Sequence, residues 1–386
     1  MPFTELQSKL DERAEQGLLR SRRTLASPQS PYIIVDGTAY LAFSSNDYLG
    51  LANHPQLIKA LQLGAQQWGV GAGAAHLVNG HFDAHHQLEQ QLANFIGKPA
   101  TLLFSTGYMA NQGVVQALVG KADTVFADKL NHASLNDAML LSRSTVKRYR
   151  HGDTAQLSQL LSQVQSGRKL VISDAVFSMD GDVAPLRELL ALCEQYDAWL
   201  YVDDAHGFGV LGAQGRGSLA HFGIQSERII YMATLGKAAG VSGAFVAAEQ
   251  VVIDTLVNNA HSYVYTTAAP PALSVALLQS LQLIGQGDEL RTHLKLLIAQ
   301  LRNGLSDLPW RLMPSDTAIQ PLLIGDNKYA VRLSEGLRER GIWVAAIRPP
   351  TVPQGTARLR ITLSVAHNEA DVDKLIGVLH ELAKEF

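Results

Sequence analysis

Short apolar segments that alternate with helical patterns dominate the sequence between residues 100 and 248. Each segment is continuously apolar, as is typical of a strand buried on both faces, and small-residue turns follow most of the segments. Such alternation predicts a largely parallel sheet with helices on both faces, an α/β fold in which ligands bind at the carboxyl ends of the strands. The predicted strands are Thr101–Phe104, Thr124–Ala127, Leu170–Ser173, Trp199–Val202, Arg228–Met232 and Ala244–Ala247.

The flanking sequence predicts two further regions. Residues 1–45 combine a helical pattern, a basic cluster and a short strand pair, which suits an arm rather than a core. Residues 46–285 then form the large domain. From residue 286 onward a long amphipathic helix leads into strands and helices of a smaller α+β domain, 286–386, which includes a single strand predicted at Trp343–Ile347.

Composition narrows the class of protein. The chain has 386 residues, of which 47% are hydrophobic and 17% charged, as expected of a globular enzyme with a large core. A net charge of −3 gives no electrostatic reason to expect nucleic acid as a partner. The single Cys193 suits a reducing cytoplasm. We expect neither export nor membrane insertion, because no basic segment followed by an apolar run opens the sequence and no stretch is apolar enough to span a bilayer.

Lys237 lies in a turn of residues with almost no side chains, directly after the strand Arg228–Met232. A lysine in this setting loses water, which lowers its pKa and favours the neutral amine that forms Schiff bases. A solvated lysine on a flexible loop is the alternative. A phosphate-binding P-loop is excluded, because that pattern requires glycine at Tyr231 and serine or threonine at Ala238.

Other turns at strand ends carry polar residues. Gly107 and Tyr108 open a helix after a strand, where free N–H groups and the helix dipole suit a phosphate and where the tyrosine can cover a ring. His132, Ser178 and Asp203 follow three other strands. The sequence therefore predicts that these side chains share one edge of the sheet with Lys237.

The segment Asp203–Gly212 permits three interpretations. Its glycines match a dinucleotide fingerprint, but the following residues are too glycine-rich to open the required helix and the motif comes late in the chain. A metal site built from Asp203, Asp204 and His206 is a second interpretation, although no paired histidine or cysteine ligands accompany it. In the third, a buried carboxylate at a strand end requires a cationic partner such as a pyridinium nitrogen.

Taken together, these stretches resemble the α-oxoamine synthases, a family of fold-type I pyridoxal-phosphate enzymes, along essentially the whole chain. The motifs occur in the family's order and at plausible spacing. The matching stretches are Gly107-Tyr108, Asn131-His132-Ala-Ser134, Phe177-Ser178-Met-Asp180-Gly181, Val202-Asp203-Asp204-Ala-His206-Gly207 and Thr234-Leu-Gly-Lys237.

The resemblance implies a pyridoxal 5'-phosphate site without a metal, in a homodimer with shared active sites. It gives catalytic roles to four residues: Lys237 forms the Schiff base, Asp203 pairs with the pyridine nitrogen, His132 stacks on the ring and His206 reaches the ring hydroxyl. It also implies that Ser178 contacts the ring hydroxyl, that Gly107, Tyr108 and Thr234 hold the phosphate, and that Thr266 and Thr267 do so from the second subunit.

The loop Ala346–Pro353 and the segment Gly355–Arg360 resemble the branch of the family that condenses L-alanine with a pimeloyl thioester, on coenzyme A or on an acyl-carrier protein, with loss of CO2 and the thiol. Gly243-Ala244 stands where glycine-using relatives have Gly-Gly, and Ala74-Ala75-His76 departs from the Gly or Ser of many relatives. The substrate-binding residues expected from this resemblance are Arg20, Asn46, His132, Arg348, Thr351 and Arg360, with Arg360 on the alanine carboxylate.

Two other classes of function remain open from the sequence. One is a different enzyme of the same fold, such as an aminotransferase or a glycine-dependent acyltransferase resembling 2-amino-3-ketobutyrate CoA ligase. The other is a dinucleotide-binding oxidoreductase that uses Gly207–Gly212.

Overall fold

A computed structural model describes residues 3–385. Its strands are β1 (Tyr32–Val35), β2 (Thr38–Ala42), β3 (Ala100–Phe104), β4 (Thr124–Asp128), β5 (Thr145–Tyr149), β6 (Lys169–Asp174), β7 (Trp199–Asp203), β8 (Ile229–Thr234), β9 (Ala244–Ala248), β10 (Arg311–Leu312), β11 (Ile319–Gly325), β12 (Ile342–Trp343), β13 (Ala345–Ile347) and β14 (Ala357–Thr362). Its α-helices are α1 (Thr4–Glu15), α2 (Pro55–Trp68), α3 (Asp83–Ile96), α4 (Gly107–Leu118), α5 (Ala133–Ser142), α6 (Thr154–Ser162), α7 (Leu186–Gln195), α8 (Ser218–Phe222), α9 (Gln250–Asn259), α10 (His261–Val264), α11 (Pro271–Gln286), α12 (Asp288–Gly304), α13 (Asn327–Glu339) and α14 (Glu369–Glu385).

The chain divides into two compact units. Unit 1 comprises Met1–Tyr48, Met179–Asp182 and Thr292–Phe386, and unit 2 comprises Leu49–Ser178 and Val183–Arg291. Within the part of the chain that the structure describes, no helix is both long and apolar enough to cross a membrane.

The expected division at 46–285 and 286–386 stays a prediction. In the structure, residues of the arm expected at 1–45 group with the C-terminal residues, and the short segment Met179–Asp182 also belongs to unit 1. The buried Arg358 joins this segment to β14, because it donates to Asp180 Oδ1 at 2.8 Å. Such contacts join residues far apart in the chain, which periodicity does not reveal.

Unit 2 is built on a seven-stranded sheet with the order β3-β9-β8-β7-β6-β4-β5. The pairs among β5, β4, β6, β7 and β8 are parallel, whereas β9 runs antiparallel to both β8 and β3. All five residues of β4 and of β9 are buried, as the uninterrupted apolar runs require of central strands. The mainly parallel α/β fold is therefore confirmed.

All six strands predicted between residues 100 and 248 are present, with ends shifted by at most two residues. The edge strand β5 was missed. Its sequence, Thr-Val-Lys-Arg-Tyr, has one buried residue, because only one neighbour covers an edge strand. Apolar patterning does not distinguish such a strand from a loop.

Unit 1 contains two smaller sheets, with the orders β1-β2-β12 and β10-β11-β14-β13. The single strand predicted at Trp343–Ile347 was wrong, since β12 pairs with β2 whereas β13 pairs with β14. The buried Val344 lies between the two short strands. The apolar pattern of residues 343–347 is continuous because β12 and β13 are both partly buried, although they belong to different sheets.

Capping side chains determine where two helices next to the sheet begin. Thr106 Oγ1 accepts the N–H of Met109 at 3.1 Å at the start of α4. His132 Nδ1 accepts the N–H of Ser134 at 3.2 Å at the start of α5. A side-chain cap contributes about 1 kcal/mol to the stability of a helix. The residues that begin these helices thus also lie at the carboxyl ends of β3 and β4.

Candidate active site

The carboxyl ends of four adjacent strands, β4, β6, β7 and β8, carry most of the predicted site residues of unit 2. His132 follows β4, Ser178 follows β6, Asp203 ends β7, and Lys237 follows β8. Because these strands are parallel, their carboxyl ends lie on one edge of the sheet. The structure thus places these four residues as the sequence predicted.

Lys237 lies beside His206, with Nζ 2.8 Å from the histidine Nε2. The lysine is half-buried in the turn after β8, and the histidine is buried in the turn after β7. A hydrogen bond of this length requires one of the two nitrogens to accept, so the pair can hold a proton between an amine and an imidazole.

Asp203 is a buried carboxylate whose hydrogen bonds come from neutral donors. Its Oδ2 accepts from Asn111 Nδ2 at 2.8 Å, and its Oδ1 accepts from the N–H of Ala205 at 3.0 Å. Asn111 is oriented in turn by the hydroxyl of Tyr201, which donates to its Oδ1 at 2.7 Å. Such a carboxylate is ready to pair with a cation that enters the site.

His132 and Asp174 form a second polar cluster at the same edge. Asp174 Oδ2 accepts the backbone N–H of His132 at 2.9 Å. Burial, together with the negative charge of Asp203, raises the pKa of Asp174 well above its usual value. Burial lowers the pKa of His132. The negative charge of Asp203 raises this pKa, whereas the positive charge of Lys237 lowers it further. The imidazole is thereby favoured in its neutral form.

Gly107 begins α4 against Thr234, at the carboxyl end of β8. A Cβ atom on Gly107 would lie 2.5 Å from Thr234 Cγ2, so glycine allows the start of α4 to pack closely against Thr234. The helix has 12 residues; Thr106 caps the N–H of Met109, and the N–H groups of Gly107 and Tyr108 suit an anion. The Tyr108 hydroxyl donates to Asp137 Oδ2, and this bond raises the pKa of the phenol.

Asp204 has a separate, structural set of partners. It is fully buried, and its Oδ2 accepts from the N–H of Ser218 at 2.6 Å and from the hydroxyl of Tyr231 at 2.8 Å. The carboxylates of Asp203 and Asp204 are thus held by different groups, which disfavours the metal interpretation of this segment. The five-residue α8 begins only at Ser218, so Gly207–Gly212 does not open a helix as a dinucleotide fingerprint does.

Ser178, Thr266 and Thr267 are the remaining cofactor-binding residues predicted in unit 2. Ser178 is half-buried in the turn after β6. Thr266 and Thr267 lie between α10 and α11, where the hydroxyl of Thr266 is 3.5 Å from the carbonyl oxygen of Thr267. Their expected contact with a second subunit stays a prediction.

Unit 1 brings Arg360 and Asn46 together. Arg360 is buried on β14 and donates from both Nη1 and Nη2 to Asn46 Oδ1 at 3.3 Å. Its Nη1 also donates to Thr362 Oγ1 at 2.9 Å, and the hydroxyl of Tyr48 donates to Asn46 Oδ1 at 3.2 Å. The guanidinium is thus held in a fixed orientation, which suits recognition of a carboxylate.

Unit 1 also brings together three further residues predicted to bind substrate. Arg20 Nη2 donates to Thr351 Oγ1 at 2.8 Å, and the N–H of Thr351 donates to the carbonyl of Arg348 at 3.1 Å. Arg348 Nη1 donates to the carbonyl of Gly17. Residues from the arm and from the proline-rich loop therefore form one cluster with two guanidinium groups.

Two residues of the unit 2 site were missed by the sequence analysis as functional candidates. Asn111 orients Asp203, and Asp174 holds the backbone of His132. In the sequence, Asn111 stands out only as a polar residue on the buried side of α4, and Asp174 only as a second carboxylate at a strand end. Neither signal is specific, because the partners lie 92 and 42 residues away in the sequence.

A cavity of about 230 Å³ opens next to the turn that carries Lys237, with Leu235, Ser242 and Gly243 in its wall. Ala244 is fully buried in β9 and does not line this cavity. The link between Gly243-Ala244 and the choice of amino acid stays a prediction.

Comparison with known proteins gives a consistent result. Residues 38–379 match the family model of class I and II aminotransferases. The 8-amino-7-oxononanoate synthase of Nitrosomonas eutropha is 61% identical over 383 residues, which cover 98% of this chain and 99% of the relative.

Two solved structures are similar over most of the chain. The 8-amino-7-oxononanoate synthase of Francisella tularensis superposes with a TM-score of 0.79 and 30% identity, covering 90% of this chain and 98% of that one. A serine palmitoyltransferase from S. paucimobilis with a bound PLP-myriocin aldimine gives a TM-score of 0.93 and 27% identity, covering 100% and 99%.

The dinucleotide-binding interpretation is thereby overturned, because the match covers the whole α/β core and not the glycine segment alone. The residues at the strand ends of unit 2 are consistent with these matches. The chain belongs to the class I and II aminotransferase family and, within it, to the group of the 8-amino-7-oxononanoate synthases.

Proposed function

We propose that this protein is a pyridoxal-phosphate-dependent acyltransferase that condenses L-alanine with a pimeloyl thioester in biotin biosynthesis. The alanine Cα loses its proton and bonds to the acyl carbon, and the carbon–sulfur bond breaks to release the thiol. The bond between Cα and the carboxylate then breaks to release CO2, and Cα takes up a proton. The product is 8-amino-7-oxononanoate. The observation that carries the proposal is the amine of Lys237, which lies 2.8 Å from His206 Nε2 in the turn after β8, the strand that pairs with β7 and its terminal Asp203.

The residues present fit this cofactor. The start of α4 would offer the N–H groups of Gly107 and Tyr108 to a phosphate. Thr234 packs against Gly107 through its methyl group and donates its hydroxyl to the carbonyl of Ala205 at 3.3 Å. Asp203 presents a buried anion to a protonated ring nitrogen, and Lys237 is the point of covalent attachment. When bound, pyridoxal phosphate supplies an electron sink for the electron pair left on the substrate Cα.

Lys237 is the base in this proposal. A neutral amine at Nζ can take the Cα proton, and His206 Nε2 at 2.8 Å can share it. Asp203 holds a proton at the ring nitrogen through its charge, since a neighbouring anion raises the pKa of such a group. His132, which is favoured as a neutral imidazole, offers a flat face against the ring without adding a second positive charge.

Arg360 and Asn46 bind the carboxylate of alanine in this proposal. The fork of two N–H donors matches the two oxygens of a carboxylate, and replacing the long 3.3 Å contacts to Asn46 costs little. Arg20, Arg348 and Thr351 then form the acyl site, where two guanidinium groups attract the distal carboxylate of a pimeloyl chain.

The form of the protein is also part of the proposal. We expect a homodimer in which Thr266 and Thr267 contact the phosphate bound by the other subunit, and we expect the enzyme to act in the cytoplasm. The pimeloyl group arrives on coenzyme A or on an acyl-carrier protein. The two thioesters differ only outside the acyl chain, so both are included in the test.

Mass spectrometry of the product tests this function. Purified enzyme with alanine and each pimeloyl thioester should give 8-amino-7-oxononanoate, and kcat/KM should exceed the values for glycine with acetyl or succinyl thioesters. One methyl group provides only about 1–3 kcal/mol of discrimination, so glycine should be a poor substrate and not an excluded one. Higher kcat/KM with glycine would assign the chain to a glycine-dependent acyltransferase.

Lys237→Ala tests the role of the lysine directly. It should abolish turnover and the yellow colour of the attached cofactor together, because the proposed attachment point and the proposed base are the same amine, 2.8 Å from His206 Nε2. Full activity in this variant would contradict the central assignment.

A further inference from the structure

A cluster of imidazole and carboxylate groups lies at the start of α3, apart from the strand-end site. His81 precedes the helix, and His86 and Glu89 lie three residues apart on it, within about one turn. Ligand atoms of these three residues all lie within 4.8 Å of one another. All three residues also line one open cavity. The sequence places three histidines and Glu89 within residues 81–89, but only the structure shows which of them face one another.

We propose that His81, His86 and Glu89 form a binding site for one divalent transition-metal ion of the zinc type. Imidazole nitrogen and carboxylate oxygen are the usual ligands of such ions, and three protein ligands leave further positions for water. This proposal is independent of the proposed function.

The separation of His81 and Glu89 supports this site. Nε2 of His81 lies 3.9 Å from Oε2 of Glu89. This distance is too long for a hydrogen bond, and a small rotation of either side chain brings both atoms to about 2.0–2.2 Å from one ion. The other carboxylate oxygen, Oε1, accepts the N–H of Leu103 in β3 at 3.0 Å. Glu89 is therefore anchored with one oxygen while the second faces the imidazole.

The surroundings of His81 match those of a metal-bound histidine. Its Nδ1 lies 3.0 Å from Nδ1 of His76, so one ring nitrogen can donate to His76 while the other binds the ion. Metal-binding histidines typically donate their second N–H in this way, which fixes the ring orientation. The His76 ring is held by stacking on Tyr263, with ring centroids 5.1 Å apart. His76 thus positions a ligand without binding the metal itself.

His85 is excluded as a ligand although it is close to His76 and His81. Its Nδ1 accepts the N–H of Phe82 at 3.1 Å, and its Nε2 lies 2.9 Å from the carbonyl oxygen of Ala269. Both ring nitrogens therefore already have backbone partners. His86 has an exposed ring that contacts Gln90, and rotation of that ring brings a nitrogen to the ion at little cost.

Isothermal titration of the holoenzyme with ZnCl2, after treatment with a chelator and dialysis, tests the site. We expect saturable binding of one zinc per chain. The double variant His86→Gln with Glu89→Gln should lose this binding, while His76→Phe should weaken it by about 10–100-fold because only an outer hydrogen bond is removed. His221→Gln, an exposed histidine on α8, is the matched control and should bind as the unmodified chain does.

A second readout distinguishes loss of ligands from loss of fold. Co2+ in place of zinc should give visible d–d bands in the unmodified protein and in His221→Gln but not in the double variant, whose circular dichroism should stay unchanged. The proposal is overturned if the unmodified chain binds less than one zinc per chain, or if the double variant binds zinc with the same affinity.

Discussion

Replacing Asp203 by asparagine separates the electrostatic role of this side chain from its structural role. Asp203 is 5% exposed, and its Oδ2 accepts from Asn111 Nδ2 at 2.8 Å. In Asp203→Asn the new amide can still accept from the N–H of Ala205, but its NH2 group faces the NH2 group of Asn111. Leaving a buried donor without its acceptor costs about 1–3 kcal/mol, which should lower the free energy of unfolding by that amount.

The effect of Asp203→Asn on activity follows from the lost charge. A neighbouring opposite charge shifts a pKa by about 1–3 units, so the ring nitrogen of pyridoxal phosphate should hold its proton about ten- to thousandfold less well. We expect kcat with alanine and pimeloyl thioester to fall by the same factor. Cofactor content, measured by absorbance, should remain near one per chain because Lys237 and the phosphate site are intact.

Adding Asn111→Asp to Asp203→Asn exchanges the donor and the acceptor of this hydrogen bond. Urea unfolding should then show that much of the lost stability returns, while kcat stays low because the carboxylate now lies on α4 instead of β7. Asp204→Asn is the matched control, a neighbouring buried carboxylate that should affect stability more than kcat. Unchanged kcat in Asp203→Asn, or recovery of kcat in the double variant, would refute the assigned role.

Three further predictions test other parts of the structure. Arg360→Lys should raise the KM for alanine by about 10–100-fold with a smaller change in kcat. One ammonium cannot replace the two charged N–H donors of the guanidinium, whose hydrogen bonds contribute about 1.5–3 kcal/mol. Steady-state kinetics at saturating thioester measure this KM, and an unchanged value contradicts the carboxylate site. Gly107→Ala should lower the free energy of unfolding by about 1–3 kcal/mol, because its Cβ would lie 2.5 Å from Thr234 Cγ2. Gly120→Ala is the control and should leave the free energy of unfolding unchanged, because its Cβ meets open space. Equal urea midpoints for the two variants would show that the helix start adjusts freely. Burial raises the pKa of Asp204 to about 7, so the folded state keeps a proton that the unfolded state releases from about pH 4 upward, and the free energy of unfolding should decrease as pH rises to about 7 by up to about 1.4 kcal/mol per pH unit. Asp204→Asn should flatten this slope in urea titrations at successive pH values, and a slope that persists would assign it to other groups.

Much of the sheet in unit 2 could be predicted from the sequence alone. Strands buried on both faces, such as β4 and β9, require continuous apolar runs whatever their neighbours are. Once the strands are parallel, the carboxyl end of each one is also known, so the placement of Asp203 and Lys237 follows from local pattern. The roles of these residues came from resemblance to a family, because strand ends alone do not identify a cofactor.

Only the tertiary structure decided the contacts between residues far apart in the chain. It joined Asn111 to Asp203, brought Arg20 to Thr351, and divided the predicted strand at Val344 between two sheets. It also placed His81 Nε2 3.9 Å from Glu89 Oε2, and the sequence did not predict that these two side chains face each other. Apolar periodicity reports which face of an element is buried, whereas a side-chain hydrogen bond depends on which distant element covers that face.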